Sequence, residues 1–247
     1  SSVMDLTRKA SIQTLRKLIR ETDCLVHSAA VAPTKNASDF IKNLEITDNV
    51  VEALREQPVE HLILVSSDAV YGSESGVVTE ESPLCPDSLH GAMSLAREQM
   101  TEAANVNTKT ILRPTSIYGP GDTHNSYGPN RFVREGRSLG IVEVFGAGAS
   151  VRDHVFIGDV ADVALASVQN PSTTVLNVAS GQSLSFAEVA NLLVVSADDD
   201  WHIRHVGSET TTTFRYYDQR KMSKVFPDVH PRGLAEALPT ALTRDTW

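Results

Sequence analysis

Short, unbroken apolar runs lying between amphipathic stretches constrain this chain more than any other feature. "HLILVSS" (61–67) is apolar throughout its centre, and "DCLVHSAA" (23–30) and "TKTILRP" (108–114) repeat the form. A strand with one wet face alternates apolar and polar residues, whereas a continuous run reads as a strand buried on both faces. Between the runs lie helical stripes. One runs through Leu6, Ile12, Leu15, Leu18 and Ile19 in 6–21. Another runs through Phe40, Ile41, Leu44, Val51 and Leu54 in 36–56, with Asn36 or Ser38 as its cap. A third helix is predicted over about 88–105. This alternation predicts an α/β fold, a doubly wound parallel sheet with helices on both faces.

In such sheets ligands sit beyond the carboxyl ends of the strands. Those ends are "HSAAVAPT", "SSDAVYG" and "RPTSIYGPGD", rich in the small, hydroxyl and Gly residues that a cofactor cleft needs. From about 115 the texture changes to longer loops and shorter, mixed elements. A helix near 130–139, a strand at "IVEVFG", a helix over 159–169, a strand at "TVLNVAS" and a helix over 185–193 are expected, forming a small C-terminal lobe. "DDD" (198–200) and "TTTT" (210–213) read as loop.

Composition excludes more than it identifies. The 247 residues are enough for one large domain with a real core. A net charge of −9 disfavours a general nucleic-acid or anionic-membrane surface, though not a local phosphate pocket. No apolar run approaches the ~20 residues that span a bilayer, and "SSVMDLTRKASIQ" has no signal-peptide apolar region. Cys24 and Cys85 are too few for a disulfide scaffold and suit a reducing cytoplasm. No zinc-type spacing occurs among the histidines: "WHIRHV" alternates like a strand and splits His202 and His205 between faces, so no metal site is expected. A "GxSxG" hydrolase elbow is absent too.

A dinucleotide fold opens with a strand, a Gly-rich turn and a helix whose N-terminus meets the pyrophosphate. The given sequence has no such turn near its start. It is expected to enter the fold about two strand–helix units late, on the order of 50–60 residues at ~30 per unit.

Seven stretches, in order, carry a resemblance: "MDL" (4–6), "LVHSAA" (25–30), "NLEITDNVVEA" (43–53), "LVSSDAVYG" (64–72), "ILRPTSIYGPGD" (111–122), "VFGAGASVRDHVFIGDVADVA" (144–164) and "LNVASGQSLSFAEVA" (176–190). Together they resemble the extended short-chain dehydrogenase/reductase family, in particular its nucleotide-sugar epimerases and dehydratases, from Asp5 nearly to the end of the chain. The resemblance implies a Rossmann-like dinucleotide-binding domain over 1–114, with returning segments around 141–180, and a mainly substrate-binding lobe over 115–247. It implies NAD or NADP as cofactor, a nucleotide-linked hexose as substrate and a homodimer formed through the helices near 38–56 and 88–105. Asp5 and Leu6 match the pair that touches adenine. Ala29 and Ala30 match the residues against which ribose and pyrophosphate lie, while Ser66 and Pro114, at strand ends, are expected to line the same cleft. Ser67 matches the catalytic Ser/Thr. Asn130 and Arg152 match positions that grip the sugar-nucleotide diphosphate, where a guanidinium fits phosphate oxygens bidentately. A helix cap for Asn130, and an ion pair with Asp153 or Asp159 for Arg152, are the competing assignments. Tyr71 is implied to pack near the cofactor.

"PDSLHGAMSLAREQM" (86–100) departs from the family where it matters most. A Tyr and a Lys four residues apart work there as the proton carrier and its activating cation; this chain has His90 and Ser94. The pair is chemically coherent, because an imidazole titrates near ~6.5 and needs no cation to act as a base at neutral pH. His90 aided by Ser67 is therefore the expected proton carrier, with Ser94 able to bond a ribose hydroxyl. A His at a helix start is also commonly a cap or a surface residue, which leaves open a protein that binds without catalysing. Asp68 follows Ser67 as in the family's dehydratases, but Ala69 stands where their second carboxylate would be, which favours epimerisation or 4-keto reduction over water elimination. Asp68 as a turn cap, and a reductase of a non-sugar carbonyl, remain alternatives.

Overall fold

The computed structural model describes residues 4–197, 199–208 and 211–242. Asp198 and Thr210, in the two short tracts expected to be loop, lie outside the described residues. In chain order the elements are α1 (Ala10–Leu18), β1 (Cys24–His27), α2 (Ala37–Glu56), β2 (Val59–Val65), a 3-10 turn (Asp68–Tyr71), β3 (Gly76–Val78), α3 (Leu89–Glu102), β4 (Val106–Pro114) and β5 (Ser116–Tyr118). There follow α4 (Pro129–Leu139), β6 (Ile141–Phe145), β7 (Val151–Phe156), α5 (Ile157–Gln169), β8 (Thr174–Val178), β9 (Ser183–Ser185), α6 (Phe186–Ser196), β10 (His202–Val206), β11 (Arg215–Tyr217), α7 (Arg220–Val225) and α8 (Leu234–Leu242).

The residues fall into two compact units. One comprises the chain up to Gly72 with 80–113 and 163–176; the other comprises 73–79, 114–162 and 177 onward. β6 and β7 thus belong to the second unit, which is no smaller than the first, and the stretch returning to the first is confined to 163–176.

The first unit is built on a sheet of order β1-β2-β4-β8, with β1, β2 and β4 parallel. β2 is apolar throughout its centre because it has a strand on either side and helices on its faces: Leu62, Ile63 and Leu64 are 0–1% exposed. β1 pairs with β2 on one side of this sheet; among the described residues Val26 is 41% exposed and His27 is covered. Leu15, Val50, Leu54, Val59 and Leu62 join α1, α2 and β2 in one core cluster. Asn36, not Ser38, caps α2, accepting the Asp39 N–H. Further along α2, the buried Asn43 amide accepts the Val31 N–H at 2.7 Å and donates to the Val31 carbonyl at 2.9 Å, clamping the segment that leaves β1.

The second unit uses shorter pairings: β5-β7-β9, β6 with β10 and β3 with β11. Its core is more aromatic, built on Tyr118, Phe132, Phe156 and Trp201 with α6 and α8 packed over them. α6 begins with a full capping box, Ser185 and Glu188 each bonding the other's backbone N–H. Among the described residues no helix is long and apolar enough to cross a membrane.

Candidate functional site

In the first unit, the carboxyl end of β2 runs directly into Ser66, Ser67 and the 3-10 turn. Ser67 has extended backbone angles and its hydroxyl accepts the Ala69 N–H at 3.2 Å, so Ser67 rather than Asp68 caps this turn. Its own proton is directed toward the Asp68 carboxylate, which is 3.4 Å away. Ser88 caps α3 by accepting the Gly91 N–H at 3.1 Å, so His90 is the second residue inside the helix and not its cap.

Gly91 sets the spacing between these two pieces. A Cβ built on it would stand 2.2 Å from the Ala69 carbonyl oxygen, so any side chain there would push the helix away from the turn. With Gly, the first turn of α3 lies directly on residues 68–71. The consequence is that Ser67, Asp68 and the half-buried His90 belong to one wall of the first unit. Ser94, one helical turn beyond His90, is 1% exposed, and its hydroxyl makes no hydrogen bond among the described residues.

Behind the wall lies a cluster that sequence inspection does not reveal. Glu98 and Arg113, 3% and 5% exposed in their side chains, form a bidentate pair, with Nη2–Oε2 at 2.6 Å and Nε–Oε1 at 3.0 Å. The Ser66 hydroxyl donates to Glu98 Oε1 at 2.5 Å, and Arg113 Nη1 donates to the Tyr71 phenol oxygen at 2.8 Å. Ser66 is thereby turned onto Glu98, and Tyr71 is held by a cation as well as by packing. The one signal in the sequence is Arg113 itself, a charge directly after the apolar Ile111-Leu112 end of its strand, which requires a buried partner.

Other expected residues of this unit sit on separate elements. The exposed Asp5 carboxylate accepts from the Thr7 hydroxyl and N–H and from Arg8 Nε, and the Thr7 hydroxyl in particular lowers its pKa. Leu6 packs on the core cluster while its carbonyl accepts from Asn49 Nδ2 at 2.8 Å. Ala29 is half-buried and Ala30 exposed, two residues and three residues past β1. Beneath Ala29, the buried His27 imidazole is pulled to a pKa of about 3, by burial first and by neighbouring Arg97 second. It is neutral at physiological pH.

In the second unit, buried Pro114 closes β4. Asn130, 2% exposed on α4, accepts the Gly119 N–H at 3.1 Å and donates to the Ile117 carbonyl at 3.1 Å. It braces the β5 exit and is not the cap of α4, a place taken by Gly128. Arg152 lies half-buried on β7, its Nη1 donating to the Val151 carbonyl. The carboxylates near it in sequence are engaged elsewhere: Asp159 by Arg232, and Asp153 by the Thr115 hydroxyl and both donors of Ser180. Burial raises the Asp153 carboxyl pKa against those hydrogen bonds. Asp153 is a hub that joins β7 to Thr115 and Ser180, whereas the sequence offered it only as a partner for Arg152.

Comparison with known proteins agrees with this architecture. A dTDP-glucose 4,6-dehydratase of Streptomyces griseus is 28% identical over 201 residues, covering 75% of this chain and 60% of its own length. A dTDP-L-rhamnose 4-epimerase of Burkholderia thailandensis is 29% identical over 220 residues, covering 70% and 61%. The chain thus spans about 60% of the length of the curated relatives it matches. Among solved structures, MoeE5 in complex with UDP-glucose and NAD superposes with a TM-score of 0.83 at 23% identity, covering 98% of this chain and 84% of that one. The UDP-glucose 4-epimerase of Thermus thermophilus, in complex with NAD, gives 0.80 at 21%, covering 97% and 82%. These likenesses, below 25% identity, speak for the fold. The family model for "NAD dependent epimerase/dehydratase family" matches residues 3–179. On that match, which takes in well over half of the sequence, the chain belongs to the NAD dependent epimerase/dehydratase family.

Proposed function

We propose that this protein is an NAD(P)-dependent enzyme that acts on a nucleotide-linked hexose, in the manner of its epimerase and dehydratase relatives, through a transient keto sugar. The observation that supports the reading is the close approach of Gly91 to Ala69, which brings the start of α3 against the turn that follows Ser67. When bound, the dinucleotide supplies the hydride acceptor and donor. The fit rests on small side chains at Ala29 and Ala30 and on the Ser94 hydroxyl, which makes no hydrogen bond among the described residues and is suited to a ribose hydroxyl. The rest of the work falls to this chain. His90 takes the proton of a sugar hydroxyl that Ser67 orients, and returns it after the keto stage. Asp5, Leu6, Ser66 and Pro114 are assigned to the cofactor, Ser66 by fixing the strand end through Glu98. Asn130 and Arg152 are assigned to the substrate diphosphate, Asn130 by holding the backbone at 117–119 and Arg152 by direct charge.

Ala69 following Asp68 leaves one carboxylate where elimination of water needs an acid and a base, so epimerisation or 4-keto reduction is the favoured outcome. A homodimer is part of the same reading, supported by Ile41 on α2 and Leu89 on α3, 55% and 46% exposed. So is a cytoplasmic setting, supported by two free thiols. The test is incubation of the full-length protein with UDP-, GDP- and dTDP-hexoses, following absorbance of reduced nicotinamide and the sugar products. Turnover is expected to fall by about 10²–10⁴-fold in His90→Phe. Binding with no new sugar, or an unimpaired His90→Phe variant, would overturn the assignment and leave a ligand-holding protein.

A further inference from the structure

Arg97 is a buried cation that the reading so far does not use. It lies on α3, three residues past Ser94 and seven past His90, on the same helical face, and is 3% exposed. Its guanidinium donates from Nη2 to the Ala29 carbonyl at 3.1 Å, from Nη1 to the Val65 carbonyl at 3.5 Å and from Nε to the Thr47 hydroxyl at 3.1 Å. Nη2 also lies 3.4 Å from His27 Nε2, which serves as acceptor because that imidazole is neutral. Every one of these partners is uncharged. Glu98, the next residue, is taken up by Arg113 and Ser66, and Arg97 makes no ion pair among the described residues. Burial draws its pKa down to about 10, still fully protonated at neutral pH.

Glu98 acts on it only at a distance, and a buried charge with no hydrogen-bonded counterion is costly, whereas an apolar or amide side chain would fill the same space without that penalty. Its position suggests why the charge is kept. Val65 is the last residue of β2 and Ala29 lies just past β1, so the guanidinium is fixed at the carboxyl ends of two parallel strands, where sheets of this class hold ligands. Ser94, one turn nearer the helix start, contributes a hydroxyl and no charge.

We propose that Arg97 is the fixed positive charge of the dinucleotide site, a positioning residue that makes the site favour the reduced, neutral nicotinamide over the oxidised, cationic one. The inference rests on the proposed reading that the dinucleotide lies against Ala29 and Ala30. Its physical basis is like-charge repulsion through a medium of low polarisability, with Coulomb energy that survives because water is excluded around the guanidinium.

The test uses the full-length protein, wild type and Arg97→Met, Arg97→Gln and Arg97→Lys, with affinities for NAD+ and NADH, and for NADP+ and NADPH, measured separately by calorimetry. The readout is the ratio of oxidised to reduced affinity. In Met and Gln the ratio is expected to shift toward the oxidised form by on the order of ten-fold, and in Lys to stay near wild type. If both forms weaken in parallel, Arg97 only braces the two carbonyls and the inference falls while the functional reading stands. If the wild type binds none of the four dinucleotides, the functional reading fails and takes the inference with it. Should the Met variant not fold, the contrast between Gln and Lys decides the matter alone.

Discussion

Two buried arginines of the first unit, Arg113 on β4 and Arg97 on α3, are 4% and 3% exposed and have opposite surroundings. Arg113 meets a carboxylate in a bidentate pair, with a serine and a tyrosine completing the set. Arg97 meets two carbonyls, a hydroxyl and a neutral imidazole. The first charge is cancelled within a few ångströms, so the cluster acts as framework, tying the end of β2, the 3-10 turn, α3 and β4 together. The second is solvated by dipoles and not neutralised, so its field extends past the residues that hold it. Adjacent positions on one helix, 97 and 98, thus serve different ends.

The largest effect should come from breaking the neutralised cluster. Glu98→Ala leaves the Arg113 charge buried and unpaired, and is expected to cost about 3–5 kcal/mol in urea unfolding. Acid tests the neutral imidazole on which the other cluster depends, and a second buried imidazole like it. His27 in the first unit and His154 in the second are both pulled to a pKa of about 3, chiefly by burial, against about 6.5 in the unfolded chain. The unfolded chain therefore binds more protons below pH 6.5, and the stability held above that pH is lost as pH falls toward 3. Each imidazole should contribute a slope of up to about 1.4 kcal/mol per pH unit, measurable as the urea midpoint from pH 7 to 4. His27→Gln or His154→Gln should each remove its own share.

Gly91→Ala, forcing a Cβ onto the Ala69 carbonyl, should destabilise by about 1–3 kcal/mol and separate His90 from Ser67. Calorimetric melting together with turnover would check both parts, and full activity in a well-folded variant would remove Gly91 from the argument. Arg97→Met removes a desolvated ion but strands the Ala29 and Val65 carbonyls, terms of opposite sign. The expected loss is below about 2 kcal/mol by urea titration, well short of Glu98→Ala. An equal loss in the two variants would erase the contrast between the clusters. Smallest of all, Ser94→Ala should change stability by no more than about 0.5 kcal/mol, because its hydroxyl makes no hydrogen bond among the described residues.

The sequence made legible whatever is local. β2 and α2 follow from a continuous apolar run and an apolar stripe, and the cap Asn36 from a short polar residue ahead of its helix. Ser67 and His90 were legible as candidates because they sit in recognisable frames at a strand end and a helix start. The long-range pairs were not legible. Glu98 and Arg113 are fifteen residues apart on different elements, Asp153 and Ser180 twenty-seven, and an Arg-Glu step on a helix looks like an ordinary solvated face until the fold buries it.

The chain passes from one unit to the other at 72/73, 79/80, 113/114, 162/163 and 176/177, and β8 itself straddles the last of these points. Neither unit is therefore a continuous piece of sequence, and a cut anywhere between 79 and 163 would divide both. Gene fusion cannot exchange one half of such a molecule for a relative's. Variation in such a molecule must arise instead by replacement in place, or by lengthening of loops between elements, while the interleaved scaffold is inherited whole.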